Sequence, residues 1–435
     1  MRIAVIGSGI SGCLVARILS TQHSVTVFEA GHYAGGHANT VDVELEGVPY
    51  PVDTGFMVFN RKTYPNFCRL LEILDVASQP SDMSFSVRCD RSGVEYQGSS
   101  LNGIFAQRAN LLSPSFLRML RDIVRFNRAG MSAAQNALPQ DEQSVGEFLT
   151  ACGVGETFLR QYLVPMAAAI WSSTPQSILD FPASFLVGFF ANHGLMQLRD
   201  RPPWRTIRGG AREYVDALLK PIADRVRLNS PVDTVIRSGE GVAVKSVGGR
   251  LEVFDQVVFA THSDQALGML AAPTPAEREV LGAIPYHANT AVLHTDTRVL
   301  PSTRRAWASW NYCISGDANQ NASVTYDLSR LQNHHSPTPI LLTLNPSVDI
   351  AAGSVIRSFH YQHPAYCVAA IAAQRRLHEI NGRNQTHFCG AYWGYGFHED
   401  GVNSALEVTK NFGLNLESCI AASTRGRSAT AAMCL

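Results

Sequence analysis

Two sets of residues in this 435-residue chain have types and spacings suited to chemistry. The first is Gly7-Ser8-Gly9-Ile10-Ser11-Gly12, set between the apolar run Arg2 to Ile6 and a second apolar stretch. Glycine at the first position allows a tight turn, and at the second lets backbone approach a pyrophosphate. At the third it lets helix pack closely on strand. A helix opening here aims its unpaired N–H groups and positive dipole end at phosphate. Glu29 follows the next strand pattern, Ser24 to Phe28, where an acid accepts hydrogen bonds from ribose hydroxyls. Strand, glycine loop, helix and acid in this order make a dinucleotide-binding unit. The second set is Tyr395, His398 and Glu399, near the far end of the chain. His398 or Glu399 could shuttle a proton or orient a substrate. The run His398-Glu399-Asp400 equally suits helix capping, because first-turn acids favour the dipole and Asp400 suits an N-cap.

The elements that must position these residues are spread along the chain. After the first unit come two clusters, Gly35-Gly36-His37 and Val52-Asp53-Thr54-Gly55-Phe56, and then a helical pattern through Phe67, Leu70, Leu71 and Leu74. Residues 83–97 read as a strand pair, and residues 100–200 are helical in texture, with Ser113-Pro114 as cap and first turn. A helix over Arg212 to Leu219 leads into short β-branched runs starting at Val226, Val232, Gly241 and Gly249, the pattern of a small antiparallel meander. Gln256 to Thr261 reads as a fully buried strand. A last helix before Thr386 is expected over Val368 to Ile380.

The expected fold class is α/β: a discontinuous Rossmann-type nucleotide domain (1–80, 205–265 and 385–415) with an inserted mixed α+β substrate domain (81–204 and 266–384). Residues 416–435 lack apolar periodicity and read as a frayed tail. Such a layout places a cleft between the domains.

Acidic and basic residues balance at 36 each, which argues against nucleic acid as a partner. Nine scattered cysteines without a C-x-x-C pair suggest reduced thiols and a cytoplasmic setting, with a peripheral place at the inner face of the membrane as the alternative. No signal peptide or uninterrupted apolar span is expected. His360 and His363 have metal-ligand spacing only on a helix, which Pro364 disfavours, so no metal is assigned. The helix expected over Phe116 to Arg128 puts Arg118, Arg121, Arg125 and Arg128 on one side. Phe116, Leu117, Leu120, Ile123 and Val124 take the other. That pattern fits a core-packed helix with a solvated face, or one lying on an anionic membrane. The apolar stretch 181–198 favours membrane contact.

The nucleotide unit alone would serve NAD or FAD. Gly35-Gly36 soon after the ribose acid, and a strand-Gly-aromatic-Gly-helix segment from Cys389 to Val408, favour FAD by offering further N–H groups to a long cofactor. No second G-x-G-x-x-G follows a strand, so reduced flavin is expected to pass electrons to oxygen or another acceptor. With Gly35-Gly-His-Ala-Asn-Thr40, Val52-Asp-Thr-Gly-Phe56, Gln79-Pro-Ser-Asp-Met-Ser-Phe85, Pro165-Met-Ala-Ala-Ala-Ile-Trp171 and Gly390-Ala-Tyr-Trp-Gly-Tyr-Gly-Phe-His-Glu-Asp-Gly401, the chain resembles the flavin-containing amine oxidase-like superfamily. That superfamily includes monoamine and polyamine oxidases, protoporphyrinogen oxidase and carotenoid desaturases. Within it the chain is most similar to a bacterial branch of NAD/FAD-binding oxidoreductases, over residues 1 to about 415.

The resemblance implies noncovalent FAD. It puts Gly7, Ser8, Gly9 and Gly12 at the pyrophosphate and Glu29 at the adenosine ribose. Gly35, Gly36 and His37 would run along the pyrophosphate and ribityl chain, and Val232 would lie near the adenine. Gly55 and Phe56 would approach the flavin ring, while Gly390, Gly401 and Val402 would mark its pyrimidine end. His37 stands where many relatives carry Arg, and Ala391 where an acid is usual. Tyr392, Trp393, Tyr395 and Phe397 are candidates for the aromatic cage of amine oxidases. The function expected is hydride removal from an apolar or amphipathic substrate, first a fatty acyl or other lipid chain. An amine or porphyrinogen-type oxidase, and a flavoprotein without turnover, are the alternatives.

Overall fold

The computed structural model describes residues 1–136, 143–171, 175–197, 200–314 and 323–420. Arg2–Ile6 lies at the centre of a five-stranded parallel sheet, ordered Val226–Arg227, Ser24–Phe28, Arg2–Ile6, Gln256–Phe259, Thr386–Phe388. Parallel strands covered on both faces need apolar side chains throughout, which is why Ile3, Ala4, Val5, Val257, Val258 and Phe259 are all buried. Alternation along the central strand divides the work. Ile3 and Val5 face the helices Ile10–Leu19, Arg212–Leu219 and His398–Lys410, whereas Ala4 and Ile6 face the antiparallel sheet of Val232–Ser238, Gly241–Ser246 and Leu251–Phe254. Val226 does not belong to that meander. Its strand pairs in parallel with Val27 and Phe28 at the edge of the large sheet, because the short connection from helix Arg212–Leu219 returns it there.

A seven-stranded sheet forms the second body. Its order is Val355–Pro364, Tyr286–His294, Leu341–Leu344, Ser323–Asp327, Trp310–Ile314, Phe85–Cys89, Val94–Gln97. Trp310–Ile314 and Phe85–Cys89 run parallel while the other neighbours are antiparallel, so the sheet joins strands from before and after the nucleotide pieces. Helices Pro114–Gln135, Val145–Cys152, Val164–Trp171 and Ala183–Asn192 share its core, in which Phe126 packs against Phe148, Phe158 and Phe190. The apolar stretch 181–198 is therefore core: Phe185, Leu186, Val187, Phe189 and Phe190 are buried, and Leu198 lies outside the described residues.

Helix Pro114–Gln135 begins as its sequence requires, with Ser113 Oγ accepting the Phe116 N–H at 3.4 Å. The four arginines are exposed as expected, but so is Leu117, which shares their side rather than the core. The helix expected over Val368 to Ile380 breaks at Arg376 into Val368–Arg375 and Leu377–Ile380. Residues 416–420, expected as the start of a frayed tail, are packed: Leu416 and Cys419 are buried, and Arg17 Nη2 donates to the Cys419 carbonyl at 3.0 Å. Residues 421–435 lie outside the described residues. Among the described residues no helix is long and apolar enough to cross a membrane.

Candidate cofactor and substrate cleft

A cavity of about 790 Å³ separates the two bodies. One wall is the nucleotide unit, with Gly7, Ser8, Gly9, Glu29, Gly35 and Gly36. The three loop glycines do different work. Gly7 has φ +97°, and an added Cβ would lie 2.7 Å from the Ala260 carbonyl oxygen. A Cβ on Gly12 would fall 2.0 Å from the Gly7 oxygen, so Gly12 serves helix–strand packing and does not line the cavity. Gly9 has an ordinary φ of −65°, and a Cβ there would meet nothing within 4 Å. The fold itself does not need glycine at position 9. The requirement falls on whatever approaches the backbone, at a helix start that no side chain caps.

The rest of the wall follows the same logic. Glu29 Oε2 accepts from the Ser8 N–H at 2.9 Å and its hydroxyl at 2.5 Å, while Oε1 accepts from Gly31 N–H at 2.7 Å. Gly35 N–H donates to Ser8 O at 2.9 Å, and a Cβ on Gly36 would press to 3.2 Å from Gly9 Cα. His37 O accepts the Phe56 N–H at 2.7 Å, and a Cβ on Gly55 would lie 2.3 Å from that same oxygen. Val232 and Gly390 also line the cavity.

Gly401 and Val402 do not. The helix starts earlier than expected, at His398, so its fourth and fifth residues face the first helix: Ser11 Oγ donates to Gly401 O at 2.8 Å, and Val402 is fully buried. Asp400 is accordingly not the N-cap. It sits inside the first turn, where its Oδ2 accepts the Phe397 N–H at 2.9 Å.

Of the proposed catalytic residues, His398 and Tyr395 line the cleft and Glu399 does not. Both Glu399 oxygens accept backbone N–H groups, from Asn66 and Phe67 at 2.9 Å each, which caps helix Pro65–Leu74 across the interface. His398 lies between Phe56, stacked at 3.5 Å and 10°, and Tyr214 Oη, 2.8 Å from its Nε2. Burial pulls His398 down to about 3, so the imidazole is neutral at physiological pH. The Tyr395 ring lies 4.8 Å from Phe185 and 5.4 Å from Phe189. Tyr392 and Phe397 also reach the cavity; Trp393 turns away into a small cluster with Ile284 and Ala370.

Sequence patterns do not single out Trp171, Phe189, His193, His262 and Tyr366 as site residues, and they raise His363 only as a metal ligand, yet all six line the cleft. The dense aromatic content of 181–198 was the available signal, and it read instead as membrane-directed surface. Five lining groups keep a buried polar atom without a protein partner among the described residues: His37 Nε2, His262 Nδ1, Trp310 Nε1, Tyr366 Oη and Tyr392 Oη. Buried polar atoms are nearly always hydrogen-bonded, so this pattern fits a ligand rich in acceptors and donors. The open approach to Gly9, the uncapped helix start and these atoms together fit FAD. Glu29 is the one formally charged side chain among the described lining residues, and the wall from the second body is mostly apolar and aromatic, with His193, Gln362 and His363 as its polar members.

The family model for flavin containing amine oxidoreductases matches residues 10–345. AofH of Mycobacterium tuberculosis, a relative named for the flavin-containing monoamine oxidases, is 25% identical over 287 residues, 64% of this chain and 61% of the relative. The match thus spans about three fifths of that curated relative. Among solved structures, a fatty acid isomerase from P. acnes that produces CLA superposes with a TM-score of 0.69 at 14% identity, covering 94% of this chain and 98% of that one. Cyclohexylamine oxidase from Brevibacterium oxydans gives 0.63 at 18% identity, with 95% and 99% covered. At such identities these structures establish the fold. Together with the family match over most of the chain, the cleft identifies a member of the flavin-containing amine oxidoreductase family whose cofactor is FAD.

Proposed function

We propose that this chain is an FAD-dependent oxidoreductase that removes a hydride from an apolar or amphipathic substrate, first of all a fatty acyl or other lipid chain. One observation carries the reading: the substrate wall, with Met57, Val58, Met83, Ile170, Trp171 and Phe189, holds no charged side chain. A cationic substrate buried there would lack a counter-charge, whereas an acyl chain gains by leaving water. FAD, when bound, supplies the hydride acceptor. The chain's own residues do the rest. Trp171 and Phe189 exclude water and hold the chain straight, with ring centroids 4.8 Å apart.

Desaturation also releases a proton, and His193 suits its transfer. Its Nδ1 lies 3.0 Å from the Phe189 carbonyl oxygen, which can only accept, so Nδ1 carries the hydrogen and Nε2 keeps a lone pair. Burial pulls His193 to about 4, which keeps the imidazole neutral at physiological pH with the Nε2 lone pair open to a proton. A neutral amine is the second reading, supported by Tyr366 and Tyr395, whose rings flank Phe185 at 5.0 and 4.8 Å.

Access from a bilayer is supported by the surface at residues 101–128. Leu112 is 87% exposed, and Leu111 and Leu117 are 48% and 43% exposed. Arg108, Arg118, Arg121, Arg125 and Arg128 are exposed in the same segment, and the single acid between residues 97 and 136, Asp122, is buried. Exposed leucines and arginines in one segment match an anionic lipid surface.

The test is anaerobic titration of the FAD-loaded protein, followed by flavin absorbance. Bleaching by fatty acyl lipids supports the leading reading. Bleaching by amines alone replaces it with the second, and a flavin that no substrate bleaches overturns both in favour of a protein without turnover.

A further inference from the structure

His363 stands on the cleft at the end of strand Val355–Pro364, beside His37, with ring centroids 5.2 Å apart. Its Nδ1 is 3.1 Å from Asn289 Nδ2 on the neighbouring strand. Which atom gives the hydrogen follows from the partners. Asn289 Nδ2 also lies 3.1 Å from the His287 carbonyl oxygen, which can only accept, so that atom is the amide nitrogen. The other end agrees: Asn289 Oδ1 accepts from Asn345 Nδ2 at 2.8 Å. Asn345 is fixed in turn, because its Oδ1 accepts the backbone N–H of Thr290 at 3.0 Å. A backbone amide and a backbone carbonyl, which cannot change roles, therefore set both asparagines independently.

The consequence reaches the imidazole. Asn289 presents a donor to Nδ1, so Nδ1 must be a lone pair and the hydrogen must sit on Nε2. Protonating the ring would set two N–H groups against each other. Burial adds to this by pulling His363 down to about 4. Among the described residues Nε2 has no hydrogen-bond partner, and the residue faces the cavity.

We propose that His363 is a hydrogen-bond donor of fixed tautomer to the bound flavin, with Asn289 and Asn345 as the positioning residues that lock it. The location supports the flavin as acceptor. His37 neighbours His363, and the His37 carbonyl holds Phe56 at the turn closed by Gly55. The proposal rests on FAD occupying this cleft and is independent of the substrate class. Its failure is thus distinguishable from failure of the hydride-transfer reading, which bleaching reports.

The direct test is nitrogen NMR of the FAD-loaded protein labelled with ¹⁵N-histidine, with the His363 signals assigned through H363Q. At neutral pH His363 is expected to show a protonated, pyrrole-type Nε2 and a pyridine-type Nδ1. An Nδ1–H form or an imidazolium overturns the proposal. The second test is a double-mutant cycle on FAD affinity, measured by flavin fluorescence quenching. H363A and N289L are each expected to weaken FAD binding by about 2- to 10-fold, the range for one lost hydrogen bond, and the double variant no further. Independent, multiplying effects would mean that Asn289 acts only on the fold, and would overturn the relay. Should N289L unfold, the NMR measurement still decides.

Discussion

Glu399 holds Phe67 from the far end of the chain: its carboxylate accepts that residue's amide at 2.9 Å and the amide of Asn66 at the same distance. An acid that looks catalytic by position is thereby committed to the start of helix Pro65–Leu74, which Tyr64 cannot cap with its own side chain. Charge-assisted bonds of this kind contribute about 1.5–3 kcal/mol. E399A should therefore lower the melting temperature clearly, by an amount equivalent to about 2 kcal/mol, with E399Q recovering part of it. Flavin reduction by substrate, measured per folded molecule, should stay within about threefold. A fully stable E399Q that no longer reduces its flavin would return Glu399 to the chemistry.

Gly9 and Gly12 separate ligand demand from fold demand. G9A meets open space in the protein and an ordinary φ, so its melting temperature without cofactor should match the parent. Its FAD affinity should fall about tenfold or more, because the methyl group occupies the approach of the pyrophosphate. G12A drives a Cβ to 2.0 Å from the Gly7 oxygen and should destabilise the apoprotein itself. Equal loss of apoprotein stability in both variants would remove the reason given for Gly9.

How much of this was legible in the sequence varies by element. The parallel sheet and first helix were readable because each carries a local signal: glycines at fixed offsets, uninterrupted apolar strands and an acid at a set distance. Helix Arg212–Leu219 likewise shows its own periodicity. The start of helix His398–Lys410 was not readable, since Phe397 caps it through Asp400 and the glycines ahead of it disguise the boundary. Glu399 and the lock on His363 were illegible for a stronger reason. Their partners, Phe67 and Asn289, are brought to them only by sheet pairing and domain packing, and periodicity carries no trace of that. The aromatic stretch 181–198 was visible but ambiguous, because a buried core helix and a membrane-seeking one share the same composition.

Buried acids give the protein a defined pH response. Asp53 is almost fully buried, accepts from Thr40 Oγ1 at 2.6 Å and from Ala211 N–H at 2.8 Å, and is pushed up to about 7 by its burial. Asp400 is pushed to about 7 for the same reason. An acid raised above its ordinary value of 3.8 binds a proton in the folded chain that the unfolded chain releases. Its contribution to stability is thus full below that ordinary value and lost as pH rises through 7. The melting temperature should fall between pH 5 and 8, and D53N should flatten that slope. A parent protein that gains stability steadily over this interval would contradict the assignment.

The exposed leucines and arginines proposed to meet a bilayer give the last prediction, and two forces can be told apart in them. Leu112, just before helix Pro114–Gln135, and Leu117 in its first turns supply apolar area, and Arg118 and Arg121 supply charge. Co-flotation with vesicles of mixed neutral and anionic phospholipid should therefore be lost in R118E/R121E and weakened by salt, since exposed charges are screened within about 8 Å at physiological ionic strength. L112D should reduce flotation even at low salt, where charge attraction is strongest, because it removes the inserted side chain and adds a repelling acid. Both changes lie on exposed positions, so the flavin spectrum and melting temperature should not move. Binding to purely neutral vesicles as strong as to anionic ones would show that the arginines play no part, and no flotation with either would remove the bilayer as the source of substrate.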